Sequence, residues 1–188
     1  MTDIRQAITA LEASPVVAAL KSAQDAHVAA QSQVAVAFVL GGSILTMDHI
    51  MEALRGKLVF LHMDLIEGVG RDAAGLEYAA RHWQPAGIIT TRAPLVRRAR
   101  ELGLLAVQRV FLLDSASIKS GTQLISQCQP DMVEVMPGVI PKAIGQFCGT
   151  GRPVIAGGMV TTRSEVIDAL SAGALAVSTS SRELWAEA

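Results

Sequence analysis

The sequence has few aromatic side chains: Phe, Trp and Tyr together make up 4% of its 188 residues. That leaves little material for stacking nucleic-acid bases. Charge of one sign is lacking too. The formal net charge is −1 and the pI about 6.4, so no global field draws the chain to nucleic acid or to an anionic membrane. Cysteine is limited to Cys128 and Cys148. Their spacing fits no metal site, both fall in helical pattern, and inert thiols in a reducing compartment are expected. The longest apolar run, Val34 to Leu40, is far too short to span a bilayer. The opening MTDIRQAITALEASP has an early acid and no long apolar region, unlike a signal peptide. No linker rich in Pro, Ser or charge divides the chain. These absences lead to the expectation of one soluble, cytoplasmic domain over residues 1–188, without a membrane partner.

What is abundant is buried aliphatic material. The hydrophobic fraction is 51% and the charged fraction 18%, a balance that suits a parallel sheet covered by helices. Runs of Val, Ile and Leu recur at Pro15–Leu20, Val34–Leu40, Leu58–Ile66, Gly87–Thr91, Leu104–Leu112, Met132–Met136, Pro153–Ala156 and Ala174–Thr179. Helical patterns separate them. In Ala93-Pro94-Leu95, proline enters a first turn, Leu95, Val96, Ala99 and Leu102 make an apolar stripe, and Gly103 stops it. Pro141 and Gly149 bracket another helix. Thr162-Arg163-Ser164-Glu165 reads as a capping box, with Val166, Ile167 and Leu170 inward and Gly173 as the stop. This rhythm predicts an α/β fold: a compact, single-domain (β/α)8 barrel of the TIM type with short loops. Its first unit is the hardest to place.

In such a barrel the chemistry sits where strands end and βα loops begin, and the loops after the seventh and eighth strands commonly bind phosphate. Those ends carry Gly157-Gly158 and Thr179-Ser180-Ser181. Glycine lets backbone approach an anion. Ser180-Ser181-Arg182-Glu183 reads as a second capping box, opening a helix whose free N–H groups suit an oxyanion. Gly157, Gly158, Thr179, Ser180 and Ser181 are therefore the expected phosphate site. A tight turn and a plain helix cap are the alternative.

Other strand ends supply further pocket candidates: Asp64, Arg92, Arg109, Glu134 and Gly138. His62 and Asp64 share a strand face, but two residues make no complete metal site, and a hydrogen-bonded core histidine is the simpler expectation. A buried Glu134 needs a cationic partner, which Arg92 or Arg109 could supply; the pair can serve structure or ligand. Lys57, Lys119 and Lys142 do not fall at strand ends and Lys21 is the one exception, which disfavours Schiff-base chemistry. No catalytic residue, metal or cofactor is assigned. Arg97, Arg98 and Arg100 lie on the outer side of their helix, either as a solvated face or as an RNA contact.

The strings "LHMDLIEGVGRDAAGLEYAA", "PAGIITTR", "AVQRVFLLDSAS", "VEVMPGVIPKAI", "VIAGGMVTTRSEV" and "AVSTSSRELW" closely resemble the glycerol-3-phosphate-responsive antiterminator family. The likeness runs from Leu58 to Trp185; the part through Arg55 resembles the family only in its β/α rhythm. The resemblance implies a compact barrel that binds glycerol 3-phosphate and, when liganded, lets transcription pass a terminator in the leader mRNA of glycerol-utilisation genes. It implies leader RNA as a partner, with Arg97, Arg98 and Arg100 as candidates, and is compatible with a homo-oligomer. Two function classes stay open. One is a regulatory sensor without turnover. The other is an enzyme on a small phosphorylated substrate, with Asp64 or Glu134 as acid/base groups.

Overall fold

A computed structural model describes residues 3–187 of the chain. Strands β1 (Val16–Leu20), β2 (Val36–Val39), β3 (Leu58–His62), β4 (Gly87–Thr90), β5 (Leu105–Phe111), β6 (Met132–Met136), β7 (Val154–Gly157) and β8 (Ala176–Thr179) form a closed parallel barrel in chain order. Closure comes from β1 pairing with β8, Val16 opposite Val177. Helices α2 (Ala23–Gln31), α3 (Met47–Ala53), α4 (Ala73–His82), α5 (Ala93–Glu101), α6 (Ser115–Cys128), α7 (Pro141–Cys148) and α8 (Arg163–Ser171) connect successive strands, and α9 (Arg182–Ala186) follows the last. This is the expected TIM-type barrel.

Strand alternation divides the core into two layers. Outward residues such as Leu20, Val39, Leu61, Ile88 and Val133 pack against the helices. Inward residues, among them Val17, Phe38, Phe60, Ile89, Val107 and Ile155, fill the barrel. Burial on both faces explains why the strands read as continuous apolar runs rather than alternating ones.

Helix α1 (Ile4–Ala13) closes the bottom of the barrel, where Ala7 and Leu11 join the interior cluster. Asp3 caps it by accepting from the Arg5 N–H. Its signal was present as apolar residues at Ile4, Ala7 and Leu11, a helical spacing.

Local details confirm and correct the expected elements. Pro94 and Pro141 occupy the first turns of α5 and α7. The α8 capping box forms, with Glu165 accepting from the N–H groups of Thr161 and Thr162. Ile167, however, points outward and is 54% exposed. The buried face of α8 is Val166 and Ala169, and Ile167 lies a full residue rotation from its edge. Strand β3 stops at His62 rather than Ile66, because the Leu65 N–H donates to the His62 carbonyl and turns the chain. Cys128 and Cys148 end α6 and α7, and burial pushes both thiols above their usual value. No described helix is long and apolar enough to cross a membrane.

Candidate functional site

Two residues further along the strands, the inward positions turn from apolar to polar. Arg109 follows Val107, Glu134 follows Met132, Gly157 follows Ile155 and Ser178 follows Ala176. Arg109 and Glu134 are register partners on adjacent strands. Arg109 Nε donates to Glu134 Oε2 at 2.6 Å, and Ser178 Oγ donates to Glu134 Oε1 at 2.6 Å. Arg109 is 6%, Glu134 0% and Ser178 3% exposed. The cation required by a buried acid is thus Arg109, as one of the two expected options had it.

This polar trio floors a cavity of about 220 Å³ at the C-terminal end of the barrel. Its polar wall adds Lys21 from the end of β1, Gly158 and Thr161 from the β7 loop, and Thr179 and Ser180 from the end of β8. Leu40, Met136, Met159 and Val160 give the apolar wall. Of the residues expected to grip phosphate, Gly158, Thr179 and Ser180 therefore line one cavity together with Arg109 and Glu134. Gly157, Gly138 and Ser181 lie beside it.

Each of these three has another part. A Cβ on Gly157 would come 2.5 Å from Glu134 Oε1 and 2.7 Å from Ser178 Oγ. The missing side chain makes room for the ion pair. Gly157→Ala is expected to lower stability by about 1–3 kcal/mol through overpacking, read by urea denaturation. Gly138 donates its N–H to the Gly158 carbonyl at 3.0 Å and ties the β6 and β7 loops together. Ser181 is the N-cap of α9, but its side chain makes no cap hydrogen bond.

The second capping box does not form, for a positional reason. With Ser181 as cap, the third helical residue is Leu184, so Glu183 falls one place early for a reciprocal bond. Thr179 does the closing instead. Its hydroxyl accepts from the Ser181 N–H and donates to the Val160 carbonyl, while Trp185 Nε1 donates to the Thr179 carbonyl. This cross-links the loops after β7 and β8.

Asp64 and Arg92 form a separate cluster at the ends of β3 and β4, and neither lines the cavity. Asp64 accepts from the Thr91 N–H at 2.7 Å and from both the Thr90 and Thr91 hydroxyls. Arg92 Nε lies 3.2 Å from Asp64 Oδ1. Burial pushes the Asp64 carboxyl up, but the hydrogen bonds from Thr91 and Thr90 outweigh it and hold the group below its usual value. His62 is 2% exposed. Burial, then the charge of Arg109, holds its imidazole down to about 4, against a smaller upward pull from Asp64. It is a neutral core histidine, but not the hydrogen-bonded one expected: its Nδ1 is buried without a hydrogen-bond partner among the described residues. Among the described residues no cluster of three or more His, Cys, Asp or Glu side chains could hold a metal.

The arginines of α5 differ from one another. Arg98 pairs with Glu77 and Glu101. Arg100 donates to the Gln129 carbonyl and pairs with Asp131, near the start of β6 and so toward the opposite end of the barrel from the cavity. Arg97 is exposed and makes no ion pair among the described residues. Thr161 and Ser178 line the cavity without having been among the expected site residues, and Lys21 is a cavity residue that sequence reasoning set aside. Its only signal was its place directly after the uncertain first strand.

The comparisons with known proteins agree with this architecture. The model of a family described as "Glycerol-3-phosphate responsive antiterminator" matches residues 16–185. The uncharacterized protein YgcP of Escherichia coli (strain K12) is 33% identical over 178 residues, covering 93% of this chain and 93% of that protein. The structure of the glycerol uptake operon antiterminator regulatory protein of Listeria monocytogenes is similar at 30% identity and a TM-score of 0.87, covering 92% of this chain and 95% of that one. A glycerol uptake operon antiterminator-related protein of Thermotoga maritima is 34% identical with a TM-score of 0.81, covering 90% of this chain and 96% of its own. The match begins at the first residue of β1 and ends in α9, so it takes in the first two βα units, which resembled the family in rhythm alone. From barrel closure to cavity walls, the chain belongs to the glycerol-3-phosphate responsive antiterminator family.

Proposed function

We propose that the protein is a regulatory sensor that binds glycerol 3-phosphate in the cavity between β1, β7 and β8 and, when liganded, acts on the leader mRNA of glycerol-utilisation genes. One observation carries this reading: the cavity joins a strand-end lysine, four hydroxyl-bearing residues and a buried Arg109–Glu134 pair in a space of about 220 Å³, suited to a small phosphorylated polyol. The phosphate sits among Lys21, Ser180 and the backbone of Gly158, and the carbon skeleton reaches toward the floor. Gly158 has φ +75°, and a Cβ there would come 2.6 Å from Met136 Cε. Gly158→Val therefore weakens glycerol 3-phosphate binding at least about tenfold and lowers stability by about 1–3 kcal/mol. Titration calorimetry and thermal melts on the same variant read both; unchanged affinity removes Gly158 from the site.

Binding without turnover is favoured by the state of the acids. Glu134 is held by Arg109 and Ser178, and Asp64 by Thr90, Thr91 and Arg92. Neither is left as one of a pair with opposed proton-transfer tasks. Glycerol 3-phosphate is expected to raise the melting temperature by mass action and to persist unchanged in phosphorus NMR. Its consumption would favour the enzyme reading instead.

For RNA, Arg97 is the α5 arginine that makes no ion pair among the described residues, while Arg98 and Arg100 are engaged with Glu77, Glu101 and Asp131. With a net charge of −1, leader binding must come from such local contacts and weaken steeply with salt. Arg97→Ala is expected to lower affinity and reduce the salt slope by about 1, read by gel shift with glycerol 3-phosphate present. An unchanged slope takes α5 out of the RNA surface.

A further inference from the structure

We propose that Arg109, Glu134 and Ser178 make the cavity selective for a hydroxyl over a carbonyl on the three-carbon body of its ligand, so that the protein distinguishes glycerol 3-phosphate from keto and aldehyde triose phosphates. This rests on the cavity being the glycerol 3-phosphate site.

The floor is built from hydrogen-bonding groups that do not exhaust one another. Arg109 spends Nε on Glu134, but its Nη2 is buried and has no partner among the described residues. A guanidinium only donates. The Glu134 carboxylate accepts one hydrogen bond on each oxygen, from Ser178 Oγ and from Arg109 Nε. A carboxylate oxygen has a further lone pair, so both oxygens keep acceptor capacity. The floor thus sets a guanidinium and a carboxylate, each with hydrogen-bonding capacity to spare, side by side in the cavity lining.

A hydroxyl satisfies both, accepting from the guanidinium while donating to the carboxylate. A carbonyl can accept only, and it sets its own lone pairs against those of Glu134. The apolar part of the lining, Leu40, Met136, Met159 and Val160, offers a ligand carbonyl no side-chain donor. Sites built to hydrogen-bond a hydroxyl reject analogues that lack it, because the site's own buried groups are then left unpaired.

The test is a calorimetric titration of the wild-type protein with glycerol 3-phosphate and with dihydroxyacetone phosphate, which differ only at the middle carbon. Glycerol 3-phosphate is expected to bind about ten- to hundredfold more tightly, the value of one charge-assisted hydrogen bond. Equal affinity within about threefold overturns the selectivity while leaving the sensor reading intact. Binding of neither compound overturns the sensor reading itself. The residue assignment is tested by Glu134→Gln, whose amide N–H can donate to a carbonyl. Where circular dichroism shows it folded, its preference for glycerol 3-phosphate collapses; preference retained at the wild-type ratio overturns the role of Glu134. Ser178→Ala, which keeps the ion pair but removes the donor that holds Glu134 Oε1, provides the milder variant and is expected to narrow the preference for the hydroxyl; a ratio unchanged from the wild type overturns the role of Ser178.

Discussion

Replacing Arg109 with methionine is expected to lower the unfolding free energy by about 3–5 kcal/mol, a large share of what a domain of this size has in reserve. Glu134 is 0% exposed, and among the described residues its carboxylate is held by Arg109 and Ser178. Without the guanidinium, a carboxylate remains in the barrel interior with one hydroxyl to solvate it. Removing both charges is a different perturbation. Arg109→Met combined with Glu134→Leu leaves no buried charge, and replacement of a whole ion pair by apolar groups is often neutral. The double variant should therefore recover most of the loss, which a double-mutant cycle in urea reads directly. A single variant as stable as the wild type would mean that the pair does not hold the floor together.

Acid is expected to destabilise the fold in two stages, set by His62 and then Asp64. The His62 imidazole, lowered from 6.5 to about 4 by burial and by Arg109, stays neutral in the folded protein over a range where the unfolded chain binds a proton. Stability therefore falls as pH drops from 6.5 to about 4, by roughly 3 kcal/mol at the foot of the window. Below 3.8, the ordinary value from which the Asp64 carboxyl is lowered, a second loss sets in as the unfolded chain protonates that group first. Urea titrations at pH about 7, 5.5 and 4 on the wild type and on His62→Gln measure the first stage. The variant should show a shallower decline across the upper window. Parallel declines would assign the acid sensitivity to other groups.

The barrel was legible because a parallel sheet buried on both faces leaves unbroken aliphatic runs, and because prolines and capping boxes mark α5, α7 and α8. The floor was legible for an electrostatic reason: an acid in the middle of β6 needs a cation, and a parallel neighbour places Arg109 directly opposite. What stayed hidden depends on spacing that only the fold supplies. Arg98 and Arg100 read as a free basic face because Glu77 and Asp131 come from other elements. Gly157 read as an anion contact because the carboxylate filling its empty side-chain position lies on the next strand. Ser180 and Ser181 read as a cap because the motif fits, while α9 begins one residue too late to use it. Lys21 stood directly after the Pro15–Leu20 run, but it was weighed only for Schiff-base chemistry and not as a phosphate contact.

The most direct test of the sensor reading is a crystal structure of the protein grown with glycerol 3-phosphate. Electron density is predicted in the cavity between β1, β7 and β8, with the phosphate against Lys21, Ser180 and the Gly158 backbone, and a hydroxyl within hydrogen-bonding distance of both the Arg109 guanidinium and Glu134. Density for the ligand elsewhere, such as over Asp64 and Arg92, or an unoccupied cavity at saturating ligand, would contradict it.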